Sequence, residues 1–118
     1  MKGDIQMPNR KKALTPFGSV VLDLLDAAHA PHYKFYEAIG ITKVYFYEIL
    51  SGQPPAQDVI DRMLDTFDAI LPPDPNRRTL VLDYAAKTKN EIPPDIYETI
   101  RSHPDQWSKL RKLLNKHL

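Results

Sequence analysis

Eleven prolines against only four glycines divide this chain into short segments. They stand at Pro16, Pro31, Pro54-Pro55, Pro72-Pro73, Pro75, Pro93-Pro94 and Pro104, with an outlier at Pro8. Proline fits the first turn of a helix, where its missing N–H is no loss, and breaks a helix interior. Between the prolines the apolar residues recur with a helical period, and no segment sustains period-two alternation. The chain reads as all-α.

The helix ends follow from local chemistry. Thr15 is placed to cap a first helix with Pro16 at its first position, running to about residue 28 with Phe17, Val20, Val21, Leu24 and Ala28 inward. A short helix over about 32–39 ends at Gly40, the residue suited to a left-handed conformation. Thr42 is placed to cap a third helix to about residue 50, closed by Ser51-Gly52. A fourth spans about 56–70, with Val59, Ile60, Met63, Leu64, Phe67 and Ile70 on one face. Further helices are expected over about 76–87, 94–102 and 104 to the end. The last sets Trp107, Leu110, Leu113, Leu114 and Leu118 against Lys109, Arg111, Lys112 and Lys116. That stripe predicts burial of Trp107, on the fifth helix or on a partner subunit.

Composition excludes several functions. The chain has 118 residues, 42% apolar, enough for one domain with a core of its own. With no cysteine, disulfides, thiol catalysis and cysteine-held zinc are ruled out. His29 and His32 straddle Pro31, which breaks the register that would converge them on a metal. No nucleophile motif, phosphate loop or paired-carboxylate signature is present, so neither an enzyme nor a cofactor is expected. No apolar run is long enough to span a membrane. A cytoplasmic protein is expected.

The informative stretch is HYKFYEAIGITKVYFYEILSGQPP, residues 32–55. Two short helices flank a turn at Gly40-Ile41-Thr42, and such a unit can project its second helix into a major groove about 12 Å wide. Here the chain resembles the Xre-type, phage-repressor-like helix-turn-helix regulators, over about residues 14–71. Leu14-Thr15-Pro16-Phe17-Gly18 is similar to the entry of the first helix in one branch of that family. Ile39-Gly40-Ile41-Thr42 matches the turn, Phe46 and Ile49 match the buried positions of the recognition helix, and Gly52 matches its closing glycine. Glu91-Ile92-Pro93-Pro94-Asp95-Ile96 is similar to a segment that follows the domain in the same branch.

Residues 1–13 carry no apolar periodicity and read as a flexible basic arm; the resemblance implies a bundle of about five helices, a helix-turn-helix domain (14–71), with a C-terminal helical extension (72–118). It implies a transcriptional regulator that binds double-stranded DNA as a homodimer. The DNA-facing residues it implies are His32, Lys34, Thr42, Lys43, Val44, Tyr45, Tyr47 and Glu48. His32 and Lys34 would touch phosphates, while Lys43, Val44, Tyr47 and Glu48 would face base edges. The chain departs from the family's pattern in three places. His32 replaces a glutamine, Tyr36 replaces a small alanine, and Leu50-Ser51 stands where Glu-Arg is usual. Residues 10–71 hold six basic groups against eight acids, net −2, whereas residues 72–118 hold nine against six, net +3. DNA affinity comes largely from neutralising phosphates, so the basic residues must cluster for this reading to hold. The alternative is a helix-turn-helix that binds protein through its tyrosines. The Arg77-Arg78 pair reads as solvated surface.

Overall fold

A computed structural model describes residues 13–118 as seven α-helices, with no strand among them. They are α1 (Pro16–Ala27), α2 (His32–Ala38), α3 (Lys43–Ser51), α4 (Gln57–Ile70), α5 (Arg77–Lys89), α6 (Pro94–Ser102) and α7 (Trp107–His117). A 3-10 turn, Pro104–Gln106, joins the last two. The expected basic arm lies, apart from Ala13, outside the described residues.

Caps set the helix ends. The Thr15 and Thr42 hydroxyls accept the Gly18 and Tyr45 N–H at 3.0 and 3.1 Å. At the other ends α1, α2 and α5 each close on a left-handed residue: His29 (φ 52°), Gly40 (φ 79°) and Asn90 (φ 58°). In each the paired backbone bonds of a Schellman turn form, for example Gly40 N–H to Glu37 O and Ile41 N–H to Tyr36 O.

One core gathers the apolar sides of α1 to α5. All four phenylalanines of the chain, Phe17, Phe35, Phe46 and Phe67, are buried in it. Phe35 stacks on Phe67 at 4.8 Å and meets Phe46 edge-on at 6.1 Å. Tyr36 is half-buried and lays its ring 5.5 Å from Phe46, which is how α2 accommodates a bulky ring at this position. In α1 the buried residues are Phe17, Gly18, Val21 and Leu25, with Val20 and Leu24 at the margin. The inward face is therefore centred slightly away from the expected one. Ile70, expected inward, is 42% exposed at the end of α4.

The core does not stop at residue 71. Val81, Leu82 and Ala85 of α5 belong to the same cluster, and α1 packs more extensively on α5 than on any other helix. The Thr88 hydroxyl also accepts the Phe17 N–H at 3.0 Å, satisfying an orphan donor in the first turn of α1. A boundary after residue 71 therefore cuts through one core instead of dividing two.

Arg77 corrects a second expectation. It is buried, bonded to the Asp68 carboxylate at 2.7 Å and to the Pro72 carbonyl, and so ties the start of α5 to the end of α4. Arg78, by contrast, is exposed.

The last two helices depart most from expectation. No residue of α6 or α7 is buried, and Trp107 is 44% exposed instead of sitting against α5. On α5 the apolar residues Val81, Leu82, Ala85 and Ala86 are already buried, and only Leu80, 41% exposed, is left outside. The rest of its exposed side carries Arg78, Thr79, Asp83 and Lys87, so a single leucine there is no match for a leucine stripe. The indole N–H instead donates to the Ile100 carbonyl at 2.6 Å, and His103 Nδ1 donates to the Thr99 carbonyl at 2.8 Å. The first bond ties the start of α7 to the last turn of α6, and the second closes the end of α6 itself. On α6 the Arg101 guanidinium, bonded to Glu98, holds that carboxyl below its ordinary pKa.

Candidate nucleic-acid interface

The surface of interest is built on α3. Phe46, Ile49 and Leu50 follow helical spacing and are buried, so the other side of this nine-residue helix must face out. Val44, 69% exposed, and Glu48 lie one turn apart on the outermost line. Lys43 and Tyr47 flank that line on one side and Tyr45 on the other. All five side chains are exposed, Val44 most fully and Tyr45 and Tyr47 in part.

The inner side of α3 is fixed by unusually close packing. A Cβ on Gly18 would lie 1.9 Å from the Leu50 carbonyl oxygen, so the α1 and α3 backbones meet where only glycine fits. The Thr15 N–H donates to the same oxygen at 3.0 Å, satisfying a carbonyl in the last turn of α3. Thr15 thus caps α1 with its side chain and holds α3 with its backbone. The sequence presents Gly18 as a motif letter; its physical role appears only when the two helices are side by side.

On α2, His32 is half-buried and its Nδ1 lies 3.0 Å from the Tyr47 hydroxyl. Its ring is also 5.6 Å from Phe46. His32 therefore braces Tyr47 against the core, and its ring is engaged within the protein. Lys34 is exposed on α2, and Thr42, though exposed, has its oxygen committed to the cap of α3. Of the eight residues singled out in the sequence, Lys43, Val44, Tyr45, Tyr47 and Glu48 share α3. His32 joins them through Tyr47, Thr42 sits at the helix start, and Lys34 stands apart on the neighbouring helix.

The charge pattern is sorted by pairing. Three of the four acids of α4 are met by arginines: Arg62 with Asp58 at 3.8 Å, Arg78 with Asp61 at 3.4 Å and Arg77 with Asp68 at 2.7 Å. Two of those arginines come from α5, so a charge count ending at residue 71 misses them. Lys34 and Lys43 form no ion pair with another described residue. Beside α3, Tyr45, Glu48, Gly52, Gln53 and Ala13 line an open groove of about 560 Å³. Among the described residues no three His, Asp or Glu side chains gather as a metal site. Among the described residues no helix is long and apolar enough to cross a membrane.

No protein-family model, no curated protein and no solved structure matches this chain.

Proposed function

We propose that this chain is a DNA-binding regulator of the helix-turn-helix kind, reading the major groove with α3. The observation that carries the reading is the two-sided character of that helix. Its inner side is anchored at Leu50 O and Gly18, while its outer side presents Lys43, Val44, Tyr47 and Glu48 uncovered. A helix about 10–12 Å across suits a major groove of about the same width. In this reading Glu48 accepts from a cytosine amino group, Val44 meets a thymine methyl and Lys43 favours guanine. Lys34 and the flank of Tyr45 serve the backbone. His32 is a positioning residue that sets the angle of Tyr47, in place of the phosphate contact implied by the resemblance.

The test is fluorescence anisotropy with duplex fragments, including the DNA upstream of the protein's own gene, across a salt series. Binding should weaken with salt, with a log–log slope of about −0.9 per neutralised phosphate. Lys34→Ala should reduce that slope without changing sequence preference. Glu48→Ala should relax preference at one base pair by about 1–3 kcal/mol. No binding at low salt would refute the proposal.

One observation favours a second reading, a protein-docking face. Val44, Tyr45 and Tyr47 are apolar or aromatic and well exposed. In that case Tyr45→Ala should abolish capture of a partner protein and leave any DNA shift unchanged.

A further inference from the structure

His32 and Tyr47 meet at the edge of the α3 surface. Nδ1 of His32 lies 3.0 Å from the Tyr47 hydroxyl, and the two ring centroids are 6.0 Å apart. A hydroxyl has one proton, and an imidazole nitrogen either holds a proton or accepts one, so only one of the two groups donates. The imidazole also packs 5.6 Å from the buried Phe46 ring, which holds it in place. Tyr47 is 44% exposed, so the part of its hydroxyl not spent on His32 is available to a ligand.

The direction of the bond follows from donor and acceptor strength. A phenol O–H is a stronger donor than a neutral imidazole N–H, and an imidazole nitrogen is a stronger acceptor than a phenol oxygen. Nε2 of His32 bonds to no other described side chain or carbonyl, so it keeps its own N–H in water. With His32 neutral, Tyr47 therefore donates to Nδ1 and turns its oxygen lone pairs outward. Protonation puts a hydrogen on Nδ1 and reverses the bond. Nδ1–H then donates to the Tyr47 oxygen, and the hydroxyl hydrogen turns outward. No carboxylate among the described residues forms an ion pair with His32 to hold it in one state. The charges flanking it are Lys34 and Glu37 on α2 and Lys43 and Glu48 on α3, all exposed, as are Asp23 and Asp26 of α1. On α4, which α2 meets where Phe35 stacks on Phe67, three acids are paired with arginines and Asp65 is exposed. The tyrosines nearby are engaged elsewhere or exposed: Tyr36 lies against Phe46, and Tyr33 and Tyr45 face out.

We infer that His32 is a proton switch for the hydrogen-bonding sense of Tyr47, which acts as an acceptor toward the ligand when His32 is neutral and as a donor when it is protonated. On the DNA reading of α3, on which the switch depends for its ligand, an acceptor meets the amino group of adenine or cytosine. A donor meets guanine O6 or N7, or thymine O4. The base pair facing Tyr47 is thus read one way above the pH range in which histidines titrate and the other way below it.

NMR titration of the full chain without DNA, with isotope in the histidine nitrogens and tyrosine carbons, tests the switch over about pH 5–8. Neutral His32 should carry its proton on Nε2 and leave Nδ1 bare, and the Cζ resonance of Tyr47 should move with the His32 midpoint. In Tyr47→Phe the Nδ1 resonance should change, and in His32→Gln the Tyr47 resonance should stop following it. Anisotropy then tests the base contact. The tightest duplex from the salt series, with each base pair exchanged in turn, is compared at about pH 5.5 and pH 8. At one position the preference should change by about three- to tenfold, the worth of one hydrogen bond. His32→Gln and Tyr47→Phe should each abolish that change, although both keep the other three histidines. A neutral His32 with its proton on Nδ1, or a Tyr47 resonance indifferent to His32, overturns the switch. So does a bound duplex whose preferences are the same at both pH values, or a change that survives Tyr47→Phe. If no duplex binds at any salt concentration, the DNA reading fails, and the titration without DNA alone upholds or overturns the switch.

Discussion

The close approach of two backbones at Gly18 makes a strong prediction. Gly18→Ala places a methyl 1.9 Å from the Leu50 carbonyl oxygen, where both sides are backbone and cannot rotate away. The helices must part, and overpacking of this kind costs about 1–3 kcal/mol; urea unfolding should show the loss. At His29 the sign reverses. A histidine held at φ 52° carries the strain of a side chain in the left-handed region. His29→Gly should therefore stabilise the fold by up to about 1 kcal/mol, seen as a higher melting temperature. Gly40 could be read from the sequence because glycine itself marks such a turn. His29 could not, since Pro31 announces that α1 must end but not which residue takes the strained angle. The aromatic residues divide in a similar way. Phenylalanine has no polar group to satisfy and all four are buried, whereas none of the six tyrosines is fully buried. Phe35 and Phe46 were legible as core on that chemistry. The bracing of Tyr47 by His32, fifteen residues away, was not.

At the scale of elements, the pairing of α1 with α5 governs stability. Thr88 accepts the Phe17 N–H and donates to the Tyr84 carbonyl at 2.8 Å, so one hydroxyl serves two helices. Thr88→Val keeps the shape and deletes the hydroxyl, leaving a partly buried N–H unpaired. A loss of about 1–3 kcal/mol is expected, measurable as a shift in the urea midpoint at constant slope. Arg77→Met acts on the neighbouring joint, stranding the Pro72 carbonyl and releasing Asp68, and should cost a similar amount. Replacing the exposed Arg78 should cost less than about 1 kcal/mol, because its pair with Asp61 lies in solvent. The helices themselves were legible, and α4 most clearly, because five large apolar residues mark its buried face. The attachment of α5 was not legible, since two of its five buried residues are Ala85 and Ala86, which carry little periodic signal, and a third is Arg77. A buried arginine reads as surface until its partner, nine residues earlier, is seen beside it.

For the whole molecule, the contrast between α1–α5 and α6–α7 sets how the chain opens. Native-state amide exchange reports local opening where few apolar contacts must break and global unfolding where the core must. The interior amides of α1, α4 and α5 belong to helices whose residues form the core, so they should exchange only with global unfolding. Those of α6 and α7 are held by helical bonds, by Trp107 on Ile100 and by His103 on Thr99, with no buried side chain behind them. In dilute protein they should exchange far faster, through a separate event that leaves the core intact. The leucine stripe of α7 was legible as a surface needing cover, but a sequence does not say whether that cover comes from the same copy. Exchange decides it through concentration. If a second copy supplies the cover, protection in α6 and α7 should rise with protein concentration while that of α1 and α5 stays constant. A low protection at α6 and α7 that is the same at every concentration would mean that this end of the molecule stands alone.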